Sequence, residues 1–329
     1  MGRIACSLDP GRSLDEAVER VRLAETLGYE SAWVTHIAAR EPLQVLGHYA
    51  HHTRRIGLAT GVIPIMLRHP ALMSMEAATL DEVSGGRLTL GLGVSHRVTV
   101  EGWYGLSLDD PVGQMREYLG IVRDVLERGS AGTEGAHYTA RFSLLRYRAR
   151  PGMRIVIAAL GPRMLRLAAE VADGVVLWMC SPAYIRETVR PTLEKALASH
   201  GRSIEDFDVV ANVPLALGGD EAAARDAVRR RVMPYVQLPF YRAVIAAGGH
   251  SAELAAFDRE LAGGTPDEAL RALGEAFVDD YAGVGDGSAV RAKIREYREA
   301  GVTLPSVGPV VGHEGGGSVE DLLSAAAGR

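Results

Sequence analysis

Eight short apolar runs recur along this 329-residue chain, at residues 4–8, 31–35, 55–64, 88–94, 154–160, 175–179, 209–217 and 304–311. Runs of this length with no polar face predict strands buried on both sides, as in a parallel sheet covered by helices. The stretches between them carry apolar residues at helical spacing. In the first, Ser13 caps a helix with Leu14, Ala17, Val18, Val21 and Ala24 on one face, and Gly28 closes it. Eight strand–helix repeats predict an α/β chain folded as a closed (β/α)8 TIM barrel, one domain over residues 1–329. A doubly wound sheet of the dinucleotide-binding kind is disfavoured, because no G-x-G-x-x-G turn follows the first strand.

A barrel of this kind needs about 250 residues, so the surplus belongs to insertions. Residues 130–152 lose the helical period after strand 4 and read as a loop with a short hairpin. After strand 7 a helical excursion runs over residues 221–282, its inserted part about 232–282, broken by Pro234, Pro239, Gly248-Gly249 and Gly263-Gly264. The 47% hydrophobic content supports a large core, and the net charge of −5 argues against a nucleic-acid partner. Two cysteines, Cys6 and Cys180, fit a reducing cytoplasm. Neither a signal-like segment nor a membrane-length apolar run occurs, so a cytoplasmic protein without membrane association is expected.

Residues that follow parallel strands sit at the carboxyl edge of the sheet, where active sites are built. The densest such stretch is residues 84–104, where a Ser-Gly-Gly stop leads into a strand containing Gly91 and Gly93, then Ser95, His96, Arg97, Glu101, Trp103 and Tyr104. The other strand ends supply Ser7 and Asp9, Thr35 and His36, residues 61–64, Leu160 and Gly161, Trp178 to Ser181, Asn212 and Ser306. This set holds no nucleophile elbow, no H-E-x-x-H and no carboxylate cluster, and no metal is expected. His48 and His52 lack a third ligand and read as surface residues. His96 and His36 are the candidate catalytic groups by position, since no carboxylate is better placed; an imidazole near its ordinary pKa suits general acid work. Arg97, Trp103 and Trp178 are candidate substrate contacts. Tyr235 and Tyr241 would join them if the second insertion closes over the mouth, although that insertion could equally form a dimer interface. Leu160-Gly161-Pro162-Arg163 reads either as a phosphate seat at a helix start or as an ordinary turn.

The segments T-G-V-I-P-I-M-L-R-H-P, L-D-E-V-S-G-G-R-L-T-L-G-L-G-V-S-H-R and G-P-R-M-L-R-L-A-A-E-V-A-D-G-V-V resemble the luciferase-like monooxygenase superfamily, especially its coenzyme F420-dependent branch. They stand in the family's order, and the resemblance covers essentially the whole chain. It implies a cis peptide bond at Gly61–Val62 backing the cofactor ring, with Ile63, Gly93 and Ser95 beside it. The cofactor phosphate would sit against Leu160, Gly161, Pro162, Arg163 and Met164. Relatives often carry Asp-His after strand 2, where this chain has Thr35-His36, and a sugar-phosphate dehydrogenase relative has a catalytic Glu where this chain has His96. The expectation is an F420-dependent oxidoreductase, a homodimer, that transfers hydride between the deazaflavin and a small organic substrate, reducing an activated C=C or C=N bond or running the reverse. An FMN-dependent monooxygenase is the alternative, and a non-catalytic flavin-binding protein the second.

Overall fold

Alternation of buried runs and amphipathic helices closes the chain on itself. The computed structural model describes residues 2–329. Its strands are β1 (Ala5–Ser7), β2 (Ser31–Val34), β3 (Gly57–Thr60), β4 (Leu88–Gly93), β5 (Arg154–Ala158), β6 (Gly174–Leu177), β7 (Asp208–Leu217) and β8 (Leu304–Pro309). Each lies parallel to the next, and β8 returns to β1 with Ala5 opposite Ser306 and Cys6 opposite Val307. This is the (β/α)8 barrel. Closure gives every barrel strand a neighbour on both sides.

The early helices are α1 (Leu14–Leu27), α2 (Pro42–His52), α3 (Pro70–Ser84), α4 (Arg97–Gly102), α5 (Pro111–Arg128) and α6 (Pro162–Val171). Proline opens α2, α3, α5 and α6, where its missing N–H wastes no donor. The side chains of Glu41, His69 and Asp110 accept hydrogen bonds from the first turns of α2, α3 and α5.

The run over residues 55–64, read from sequence as one strand, divides. Leu58 and Ala59 pair with Leu88 and Thr89, whereas Ile63 and Pro64 pair with Leu92 and Gly93. From Ala59 to Ile63 the chain advances one residue more than β4 does over the same stretch, which is a bulge. The Gly61–Val62 peptide within it is cis. Thr60 supplies the missing ladder contacts: its hydroxyl accepts from the Gly91 N–H at 2.7 Å and donates to the Gly91 carbonyl at 2.8 Å.

Both insertions are present. After α5, the strands Ser130–Glu134 and Thr139–Ser143 form an antiparallel hairpin whose Ala131 and Ala140 pack on Ile121 and Val125. After β7, helices Glu221–Val236, Pro239–Ile245, Ser251–Gly263, Pro266–Ala272 and Glu275–Tyr281 follow one another, with a π turn at Ala246–His250. Two features depart from the sequence reading. Residues placed immediately after strand 4 form α4, and Gly283–Gly285 adds a short strand to the carboxyl end of β7. No helix is long and apolar enough to cross a membrane among the described residues.

A methyl group on Gly91 would stand 1.9 Å from the Thr60 carbonyl oxygen, a backbone atom that cannot yield without breaking the bulge. Gly91→Ala should therefore cost about 2 to 3 kcal/mol, read as a lowered urea midpoint with an unchanged m-value. Wild-type stability would show that the seam between β3 and β4 is slack.

Candidate active site

The floor of the carboxyl-end mouth follows from small side chains. Val62 lies across β4, its γ-methyl carbons so close that a Cβ on Gly93 would meet one at 2.5 Å and a Cβ on Gly91 the other at 3.2 Å. A Cβ on Gly93 would also stand 3.4 Å from that of Ala158 on β5. The result is a shallow platform of Gly61, Val62, Gly93 and Ala158, with Ile63 buried beside it. Ser95 just beyond β4 and Met179 just beyond β6 both take left-handed backbone, with φ of 60° and 54°. For residues with a side chain this is uncommon and recurs at functional turns.

His96 follows Ser95 and caps α4 without bonding to it. Its ring packs against Tyr241 at 5.4 Å and Tyr235 at 6.2 Å between centroids. Trp178, at the end of β6, meets Tyr235 edge-on at 5.3 Å, and the two tyrosines meet at 5.2 Å. The insertion after β7 thus folds back over the mouth and brings Tyr235 and Tyr241 to His96. The indole Nε1 of Trp178 is buried without a partner. Burial pushes the Tyr241 hydroxyl up, and it lowers the His96 pKa.

His36 follows β2 and is half-buried, with its Nδ1 unpartnered. Burial lowers its pKa, the Arg68 charge adds to that, and Glu41 opposes both. Arg68 bonds Glu41 at 2.8 Å and pairs with Glu76 at 3.1 Å. Burial raises the Glu76 pKa against the pull of Arg68. This trio was not recognised in the sequence. Its signal was available in Glu41 directly before Pro42 and in Arg68 within the T-G-V-I-P-I-M-L-R-H-P segment.

At the start of α6, Gly161 is the cap and carries no side chain to bond the first turn. The N–H groups of Arg163 and Met164 are left to the mouth, since Leu165 already bonds the Gly161 carbonyl. The first turn holds no acidic residue. Leu160 is anchored from behind by the Tyr184 hydroxyl at 2.9 Å. Phe240 stands beside the cap, 3.7 Å from where a Gly161 Cβ would be.

Arg97 and Trp103 are among the sequence-derived residues that are not brought into this cluster. Arg97 is engaged along α4 with Glu101 and donates to the Leu108 carbonyl at 2.7 Å. Trp103 follows α4 and is 56% exposed. Asn212 and Ser306 are register partners on β7 and β8, each with a buried oxygen lacking a partner.

The profile of the luciferase-like monooxygenase family matches residues 1–304. The chain belongs to that family. A protein of Mycobacterium tuberculosis assigned as a coenzyme F420-dependent oxidoreductase is 31% identical over 307 residues, 87% of this chain and 88% of its own. The 5,10-methylenetetrahydromethanopterin reductase of Archaeoglobus fulgidus is 30% identical over 299 residues, 89% of each chain. The structure of the coenzyme F420-dependent tetrahydromethanopterin reductase of Methanopyrus kandleri shares the fold, with a TM-score of 0.84, 24% identity, and coverage of 99% of this chain and 97% of that one. The chain is an oxidoreductase of this family.

The lowered histidine pKa values carry a sign. An unfolded histidine titrates near 6.5, so as pH falls the unfolded chain binds protons that native His36 and His96 resist. Stability contributed by these groups should rise with pH between about 5 and 7. Urea midpoints compared across that range should rise less steeply in a His36→Gln, His96→Gln double variant. Equal slopes would show that neither imidazole is held neutral by the fold.

Proposed function

We propose that this chain binds coenzyme F420 in the carboxyl-end mouth and transfers hydride between it and a small organic substrate, with His96 handling the accompanying proton. When bound, the deazaflavin supplies or accepts the hydride. The residues present fit such a group. A flat ring matches the platform of Gly61, Val62 and Gly93, and an anionic tail matches the free N–H groups of Arg163 and Met164 at the positive end of α6.

The observation that carries the reading is the enclosure of His96 by Tyr235 and Tyr241. A proton-handling imidazole stands just beyond the end of β4, partly covered by the two tyrosine rings. Trp178, Tyr235 and Tyr241 wall the substrate, and the indole N–H of Trp178 is available to a substrate oxygen. His36 is the second proton group, supported by its unpartnered Nδ1.

Because burial lowers its pKa, His96 is held in the neutral form at pH 7, and its imidazolium, where formed, gives up a proton more readily than an ordinary histidine. Oxidation of a substrate C–H beside an ionisable O–H or N–H draws on this neutral imidazole. Reduction of an activated C=C or C=N bond draws on imidazolium, and its rate increases as pH falls.

His96→Gln should keep F420 affinity within a few fold while turnover drops by about 10² to 10⁴, and the rise of the reductive rate toward acid should disappear. Wild-type turnover would exclude His96 as the proton group; affinity falling in step with rate would reassign it to cofactor binding.

Gly161→Asp separates the helix from its ligand. An aspartate at this position caps α6, so thermal stability should hold or increase. The same carboxylate occupies the proposed anion seat, and F420 affinity should fall about tenfold or more. Unchanged affinity would place the anionic tail elsewhere.

A further inference from the structure

A second cavity, of about 570 Å³, opens at the opposite, amino-terminal mouth of the barrel. That volume lies in the range of small-molecule pockets, roughly 300 to 1,000 Å³. Its floor is apolar and made by Trp33, Val156, Val210 and Leu304, side chains from β2, β5, β7 and β8 that point along the barrel interior.

The charges around the rim divide into a satisfied belt and two open poles. In the belt, Arg3 bonds Glu30 and Asp208, each at 2.6 Å, and Arg154 bonds Asp208 at 2.7 Å. These four groups neutralise one another. Arg55, just before β3, enters no ion pair among the described residues, and its neighbour across the strands, Arg87, bonds only neutral oxygens of Ala50, Thr53, Ile56 and Ser84. The Glu25 carboxylate, which accepts from the N–H groups of Arg54, Arg55 and Ile56, offsets part of this charge, and Arg54 adds to it, so the pole stays positive. On the far side, Glu205 and Asp206 precede β7 and enter no ion pair among the described residues. Strands β3 and β7 are four apart in a ring of eight, so the positive and negative poles face each other across the apolar floor.

We propose that this cavity is an effector site for a small zwitterion with an apolar body. Its anionic group would lie at Arg55 under the field of Arg87, its cationic group at Glu205 and Asp206, and its body on Trp33. A simple anion or cation would meet one pole of its own sign. The effector role rests on Trp33. The same indole that floors this cavity lies under the bulge of the upper mouth, its Cε3 atom 3.2 Å from where a Gly61 Cβ would be. An occupant pressing on that ring therefore bears on the platform proposed above for F420, and this part rests on that reading.

Calorimetric titration of the full chain with 6-aminohexanoate and 4-(aminomethyl)benzoate, with benzoate and benzylamine as one-ended controls, tests the site. At least one zwitterion should saturate at one per chain and bind about tenfold or more tighter than either control. Arg55→Gln, and Glu205→Gln with Asp206→Asn, change exposed side chains and should each weaken it about tenfold at unchanged melting temperature. Equal binding of benzoate, undiminished binding in these variants, or no saturable zwitterion would overturn the proposal. With the cavity saturated, F420 affinity should shift by about threefold or more; an unshifted affinity would overturn the effector role. Failure of F420 to bind at all would count against the cofactor reading, a result separate from the calorimetric one.

Discussion

The hydroxyl of Thr60 holds the seam on which the upper mouth depends. At this point β3 gains a residue relative to β4, and an ordinary ladder would lose two hydrogen bonds inside a buried barrel. Thr60 restores both by bonding the N–H and the carbonyl of Gly91. The bulge is thereby fixed, and Val62 is laid across β4. That placement explains both glycines of the L-T-L-G-L-G-V segment: a side chain at 91 would strike Thr60, and one at 93 would strike Val62. Sequence composition, register and the shape of the platform are one constraint seen at three levels.

A second constraint is what α6 leaves undone. Three other helices that open with proline have a side chain over their first turn, supplied by Glu41, His69 and Asp110. Gly161 supplies none, so donors that the other helices use internally stay open at the mouth. The same economy governs the histidines. His96 and His36 sit where burial disfavours their charged forms, and the carboxylate nearest His36 is already committed to Arg68. Around the mouth, the Nδ1 of His36 and the Nε1 of Trp178 are thus left without partners, while Glu41 is held by Arg68.

Much of this was legible in the chain. The eight apolar runs located every barrel strand, because strands buried on both faces leave an unbroken apolar signature. The first insertion showed as a loss of helical period, and the second as a helical excursion interrupted by Pro234, Pro239, Gly248-Gly249 and Gly263-Gly264. Gly283–Gly285 was invisible, since three residues with two glycines carry no pattern and pair only because β7 is long enough to offer them an edge. The helix α4 was hidden for another reason: its residues follow a strand so closely that they were assigned to the strand's end. That misplacement brought Arg97 into the expected site, whereas the turn into α4 commits its guanidinium to Glu101 and Leu108. The Arg68 trio was missed because its members lie on separate elements, and only the three-dimensional closure of α2, α3 and the bulge brings them together.

The most direct test of the account is the ligand preference of the upper mouth, measured by parallel equilibrium titrations of the purified chain with F420 and with FMN, followed by fluorescence. The account predicts saturation by F420 at one per chain, with an affinity about tenfold or more above that for FMN. Preferential binding of FMN, or no saturable binding of either, would contradict it.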